Sequence, residues 1–491
     1  MRTRLIAALC LGTSLALGCQ RPANPPDAGS APAPERFCGL PLGDVHNITP
    51  LVAGERPRFR VEGLPASLVL DNRAGEKDAP CVIELLGPAA RPENLFFRYG
   101  RSAWENVRQA PIEGGLRIEY PIRARAYALI SVEAPLQPPA EAGRHRAGPV
   151  ELEVSEGAVV RTDEPGLRVR SLGPATRVRL RNMSEHPADV VLLVENTSPR
   201  LSRTRHSGLQ AALVENSRPL EVLVKGRLGP AQEAMVELEP LPLEPPLTFA
   251  LAGDSRERSD IFRKILARIP QEATPLFMIF TGDMTHNSLP GELAAFSELL
   301  RSLPFPVYTM KGNHDTRAQG DAHYRMRFGP ERYTFSAGPL FFAILDSNLW
   351  DERGYALGDE QLDWLERQLA AAKPPWKMIA LHVPPHPLHG PPVTGPNSNN
   401  MRSADAERLR RIASGAGVAY VLSGHAHLFA RMEEDGVVYL TEGGGGAPLY
   451  GYEPVPGFTV DTRKGLVLLH LDEKGIREQR ISLEPSEAPS R

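Results

Sequence analysis

Five stretches in the second half of the chain carry side chains that can do chemistry. They are Gly253-Asp254, Gly282-Asp283, Gly312-Asn313-His314-Asp315, a solitary His382, and Gly424-His425-Ala426-His427. Asp, Asn and His supply the oxygen and nitrogen donors that hard and borderline divalent metals take. Any one of them alone reads as a cap, a turn residue or a satisfied core group. The ordered set reads as the ligands of one two-metal site. Residues two apart in an extended segment face the same way, so His425 and His427 can both point inward while Ala426 points away.

The elements that must position these residues follow from the apolar pattern. Buried strands are predicted at Leu247–Ala252, Leu276–Thr281, Val307–Lys311, Met378–Leu381 and Ala419–Leu422, each ending at one of the five stretches. Helices are predicted at about 259–268, 291–303, 359–372 and 404–414; in the third, Leu362, Leu365 and Leu369 share one face. Open α/β sheets place their ligands beyond the carboxyl ends of strands. Further strands are predicted at 437–441, 465–471 and 478–483.

The set resembles the calcineurin-like metallophosphoesterase family, whose pattern runs GD, GD, GNH[DE], H, GHxH, and within it the branch like the purple acid phosphatases. The resemblance covers roughly the last half of the chain. It implies an α+β fold over residues 247–485, a ββ sandwich flanked by helices, and a hydrolase that attacks phosphoesters with a metal-held hydroxide. It implies two divalent or trivalent ions (Fe, Mn or Zn), with Asp283 bridging them. Asp254 and His427 would hold the first; Asn313, His382 and His425 the second. It implies that His314 donates to the phosphoryl group and protonates the leaving oxygen, with Asp315 as the adjacent carboxylate that orients it and keeps it charged. Two positions depart from the pattern. Many members have His where this chain has Arg256, and Arg cannot deprotonate to bind a metal. His286 stands three residues past Asp283, where purple acid phosphatases have a ligand Tyr, and is a candidate replacement; it reads equally as a loop His. Arg256 is a candidate contact for substrate phosphate, or a solvent-facing residue ahead of a helix.

The rest of the chain sets the context. Length 491 suggests about three domains. A formal charge of −3 excludes a nucleic-acid binder built on a basic surface. Residues 37–245 show short apolar or alternating runs punctuated by Gly, Pro, Asn and Asp, which read as β-sandwich modules at 37–137 and 148–243 with no convincing internal repeat. Arg2, Arg4 and an apolar run to Leu17 read as an export signal over 1–19. Ala16-Leu17-Gly18-Cys19 is similar to a lipobox, with plain secretion as the alternative. Residues 20–36 read as a disordered tether. Cys38 and Cys81 remain in the exported part and are expected to pair. The loop from His382 to Arg402, with His386 and His389, reads as a substrate rim or a Pro-stiffened surface loop. Gly443–Gly446 receives no role. The expected protein is an exported, lipid-anchored phosphoester hydrolase, periplasmic or at the cell surface, touching the membrane through its lipid alone, with no protein partner identifiable. The alternatives are a nucleotide or cyclic-nucleotide phosphodiesterase, and a non-catalytic surface protein that binds metal or phosphate.

Overall fold

The computed structural model describes residues 36–97, 107–122, 124, 127–136, 144–160, 166–256, 258–351, 354–388, 399–449 and 456–483. The expectations for the export signal, nearly all of the tether, and His389 lie outside these residues.

The ligand-bearing half is four layers. One sheet runs Val307–Thr309, Met278–Phe280, Leu247–Ala252, Gly465–Asp472, Gly475–Ser482, its first three strands parallel. The other runs Tyr333–Ala337, Leu340–Ile344, Trp376–Ala380, Val418–Ser423, Val437–Glu442, Phe429–Glu434, Thr459–Asp461, with the second to fifth parallel. The period-2 alternation of a strand decides which side chain goes where. Phe249 and Leu251 face the second sheet and pack with Phe277, Phe342, Ile344 and Met378. Ala250 and Ala252 face outward, against helices α1 (Ser259–Leu266), α2 (Pro290–Arg301) and α3 (Gly320–Phe328). Phe341, Ala343 and Ile379 of the second sheet pack outward on α4 (Asp359–Ala371) and α5 (Ser403–Gly415). This is the sandwich flanked by helices that the family resemblance implied.

Upstream lie two further sandwiches. The first pairs one sheet through Ala66–Asp71 and Tyr127–Val132 with another through Ala79–Leu86 and Gly115–Ile122, around a core that includes Phe59, Leu68, Ile83 and Ile130. Cys38 and Cys81 are joined there. The second is built in the same way around Leu152, Val178, Leu192 and Val236. Both have the same strand order in both sheets, and each has one parallel pair at the equivalent place: Arg58–Val61 with Ala79–Leu86, and Leu167–Ser171 with Ala188–Glu195. The sequence shows no such repeat. Topology is kept by alternation and turns, which many side chains satisfy.

Both sandwiches dock on the ligand-bearing half. Val307–Thr309 is an edge strand, whose unpaired backbone groups invite mispairing unless covered. The second sandwich covers them: Val307 N–H donates to Asn196 Oδ1 (2.8 Å) and Val307 O accepts from Arg170 Nη2 (2.9 Å). Arg170 is itself buried and paired with Glu195 at 3.2 Å.

Candidate active site

The loops after the parallel strands converge, and their backbones are held in conformations that side chains rarely adopt. Asp254, Asp283 and His425 have φ of 60°, 54° and 67°. Left-handed residues other than Gly cost energy and collect at functional sites. Asp254 N–H bonds Gly282 O at 2.9 Å, His425 N–H donates to Asp254 Oδ2 at 2.9 Å, and His314 N–H donates to Asp283 Oδ1 at 2.9 Å. Gly312 is required where it is: a Cβ there would lie 2.2 Å from Asp283 Oδ1.

The donor atoms form two adjoining groups. Asp254, Asp283 and His427 offer ligand atoms within 4.8 Å of one another, all buried. Beside them His382 Nε2 lies 3.4 Å from Asp283 Oδ1 and 3.1 Å from Asn313 Oδ1; His425 Nδ1 lies 3.0 Å from Asn313 Oδ1 and 3.2 Å from His382 Nε2. All six expected metal-binding residues are thus brought together.

The hydrogen bonds on the far side of each imidazole settle which nitrogen is bare. His382 Nδ1 donates to Thr281 O (2.7 Å), His425 Nε2 to Asn399 O (2.8 Å) and His427 Nδ1 to Pro448 O (2.5 Å). A carbonyl only accepts, so each of those nitrogens carries the proton and the inward nitrogen presents a lone pair. Metal-binding His residues are oriented in this way. Two bare nitrogens and an amide oxygen about 3 Å apart repel unless a cation lies among them. Asp254 Oδ1, buried, has no hydrogen-bond partner. The donor set therefore fits a pair of metal ions.

Electrostatics agree. Burial pushes Asp254 up to about 8. Burial would raise Asp283 too, but its neighbours His314, His382 and Arg256, with the His314 backbone N–H, override it and hold that carboxyl well below the usual range. Burial, with Arg256 nearby, lowers His427 to about 4, so its imidazole is neutral. Two carboxylates this close share their burden unequally until a cation replaces the proton on Asp254.

Three expectations need correction. Asp315 does not orient His314. It is fully buried, and its oxygens accept from Gly312 N (2.9 Å), Met284 N (3.2 Å), Thr285 N (3.0 Å) and Thr285 Oγ1 (2.8 Å), tying the Asp283 loop to the Asn313 loop. Burial and the neighbouring Asp283 push it up to about 7. Nor is His314 kept charged. Its Nδ1 donates to His286 O (2.8 Å), its Nε2 accepts from Arg317 Nη2 (3.1 Å), and burial drives its pKa well down. Finally, His286 is not in the Asp254–Asp283–His427 group among the described residues. Its ring sits between those of Tyr127 (5.8 Å) and His314 (5.2 Å), and its carbonyl accepts from His314 Nδ1.

Arg256 stands against the Asp283 carboxylate: its Nε donates to Asp283 Oδ2 at 3.1 Å, with 13% of the side chain exposed. It neutralises part of the charge at the first metal position, where the missing His would have been. His386 is buried against Tyr439 and Phe458. Gly443, which the sequence left without a role, packs on the site: a Cβ there would meet Ala426 O at 2.1 Å.

The fold and this donor set bring six metal-type ligands from five loops to one place. Residues 247–429 match the family described as calcineurin-like phosphoesterase, and the chain carries a calcineurin-like metallophosphoesterase domain. It is 30% identical over 186 residues to the "Probable cyclic nucleotide phosphodiesterase" of Rhodococcus erythropolis, covering 35% of this chain and 59% of that protein. It is 27% identical over 197 residues to the 3',5'-cyclic-nucleotide phosphodiesterase of Nostoc sp., covering 39% and 72%. The chain thus spans about three fifths of the length of the first of these relatives. Among solved structures, purple acid phosphatase PPD1 from yellow lupin seeds aligns over 86% of this chain and 91% of that one, at 11% identity and a TM-score of 0.40.

Proposed function

We propose that this protein is a dinuclear-metal phosphoester hydrolase that cleaves phosphodiesters outside the cytoplasm, anchored by lipid on Cys19. One observation carries the chemistry: six donors from five loops converge with their bare lone pairs inward. Asp254, Asp283 and His427 would hold one ion and Asp283, Asn313, His382 and His425 the other. Such a pair supplies a hydroxide at neutral pH and neutralises charge on the phosphoryl group. The chain's own residues do the rest. Arg256 and Asp283 balance the charge at the first position. His314, beside Asp283, fixes that carboxylate through its backbone N–H. The preference for diesters is supported by two of the matched relatives, both named as cyclic nucleotide phosphodiesterases. The location is supported by the apolar run ending at Gly18-Cys19 and by the Cys38–Cys81 disulfide, a bond of oxidising compartments.

The test is a panel on metal-free protein reconstituted separately with Fe, Mn and Zn. Bis-nitrophenyl phosphate and a cyclic nucleotide should be turned over faster than nitrophenyl phosphate. Faster monoester cleavage would make it a phosphatase. Two bound metals with no turnover on any substrate would favour a binding protein.

A further inference from the structure

Arg256 replaces a neutral metal-binding residue by a fixed cation, and its guanidinium is turned onto the ligands. The backbone places it there. Its φ is 43°, and its N–H donates to Asp283 O at 2.9 Å. Its Nε then donates to Asp283 Oδ2 at 3.1 Å. The side chain is largely buried, so its charge is screened little.

The two groups of donors are therefore unequal. The second, made of Asp283, Asn313, His382 and His425, keeps a full set, and Asp283 turns Oδ1 toward it. That oxygen lies 3.4 Å from His382 Nε2 and accepts the His314 N–H. The first group has only Asp254, Asp283 and His427. The other oxygen of Asp283, Oδ2, carries Arg256. After burial, the nearness of Arg256 is what most opposes a positive charge on His427. A metal ion at the same imidazole meets the same opposition, doubled for a divalent ion because Coulomb repulsion scales with charge.

We propose that Arg256 makes the first position a weak site for a divalent ion. The protein then keeps one tightly held ion on Asp283, Asn313, His382 and His425, and takes up the other only as free metal allows. This rests on the reading of the six donors as a two-metal site.

The experiment is a calorimetric titration of the full-length, metal-free protein with Mn(II) and, separately, with Zn(II), checked by elemental analysis after dialysis. An outer partner of a metal ligand changes affinity by about 10–100-fold, and here a ligand is missing as well, so the parent's two dissociation constants should differ by about 10²-fold or more. Asp254→Asn should abolish the weak ion and spare the tight one, which assigns the weak ion to the first position. Arg256→Gln keeps a hydrogen-bond donor without the charge. It should tighten the weak ion about 10-fold or more and leave the tight one unchanged. Arg256→Lys keeps the charge and should leave the weak ion weak. Arg256→His exchanges the charge for a ligand and should tighten it further; it decides the question if Arg256→Gln does not fold. Equal affinities in the parent, a weak ion that survives Asp254→Asn, or a weak ion that neither Arg256→Gln nor Arg256→His tightens would overturn the proposal while leaving the two-metal site intact. A parent that takes up fewer than two divalent ions in excess metal would instead overturn the reading on which it rests.

Discussion

Asp315→Asn separates a carboxylate that ties loops together from one that serves His314. The parent carboxylate accepts three backbone N–H groups and the Thr285 hydroxyl, two donors on each oxygen. An amide has one accepting oxygen and one donating nitrogen. Its best orientation turns the nitrogen toward Thr285, whose hydroxyl can reverse, so Thr285 N–H is stranded. A buried, unsatisfied donor costs about 1–3 kcal/mol, while the neutral amide accepts the two remaining N–H groups without the burial penalty that pushes the carboxyl up. The loss is therefore about 2 kcal/mol, since the site is fully buried and cannot recruit water. The loss should appear in denaturant unfolding of the variant beside the parent. Metal titration should show weaker binding, because Asp283 and Asn313 lie on the two loops that Asp315 joins. Whatever turnover remains should fall alike for good and poor leaving groups. A variant of near-parental stability and metal affinity, slowed on alkyl esters alone, would refute this and restore Asp315 as a partner of His314.

Other outcomes follow from the same geometry. Asp283→Ala should empty both metal positions, since its carboxylate adjoins both groups of donors, whereas His286→Ala should keep two metals per chain by elemental analysis; loss of one ion from the latter would reinstate His286 as a ligand. His386 is held at about 4 by burial and by Arg410, whose Nη1 is 3.2 Å from Nδ1, with Glu434 Oε2 3.5 Å from Nε2. Its folded pKa lies below the ordinary His value, so the stability it gives is present above about pH 6.5 and is lost as the pH falls toward 4. A full shift is worth about 3 kcal/mol. His386→Gln should flatten the stability profile across that window, and an unchanged slope would count against the buried neutral imidazole.

Reading from sequence worked where chemistry is carried by residue type. Asp, Asn and His at the ends of apolar runs announced the ligand set, and α1, α2, α4 and α5 fall within about two residues of their predicted limits because each presents an apolar stripe. It failed where the signal lies in a partner far along the chain. Helix α3, Gly-Asp-Ala-His-Tyr-Arg-Met-Arg-Phe, has no such stripe; beyond Tyr324 and Phe328 it is secured by the His323–Glu133 contact with the first sandwich. Asp315 adjoins His314 in sequence and points away from it in space. The seat of Arg317 is the ring of Tyr127, whose hydroxyl reaches a residue 160 positions away. Gly443 carried a signal that could have been used: a glycine run just past a predicted strand marks a close approach of backbones.

These failures share a cause, which is that the Gly312-Asn313-His314-Asp315 loop is held from both sides by the upstream modules. Before it, the edge strand Val307–Thr309 is sealed by Arg170 and Asn196 of the second sandwich. After it, Arg317, Ala318, Gln319 and His323 are all bonded or stacked against the first. Between these grips Lys311, buried, meets Asp321, Glu331 and Asp346, so the loop's entry is pinned to the start of α3 and to the second sheet. A loop that carries Asn313 and His314 of the proposed site must hold its place to a fraction of an ångström. In this chain that precision is not supplied by the ligand-bearing half alone. Without the sandwiches, Val307 would present open backbone groups and Arg317 would lose the ring beneath it. The upstream half is therefore better understood as the wall of the site than as an appendage to it.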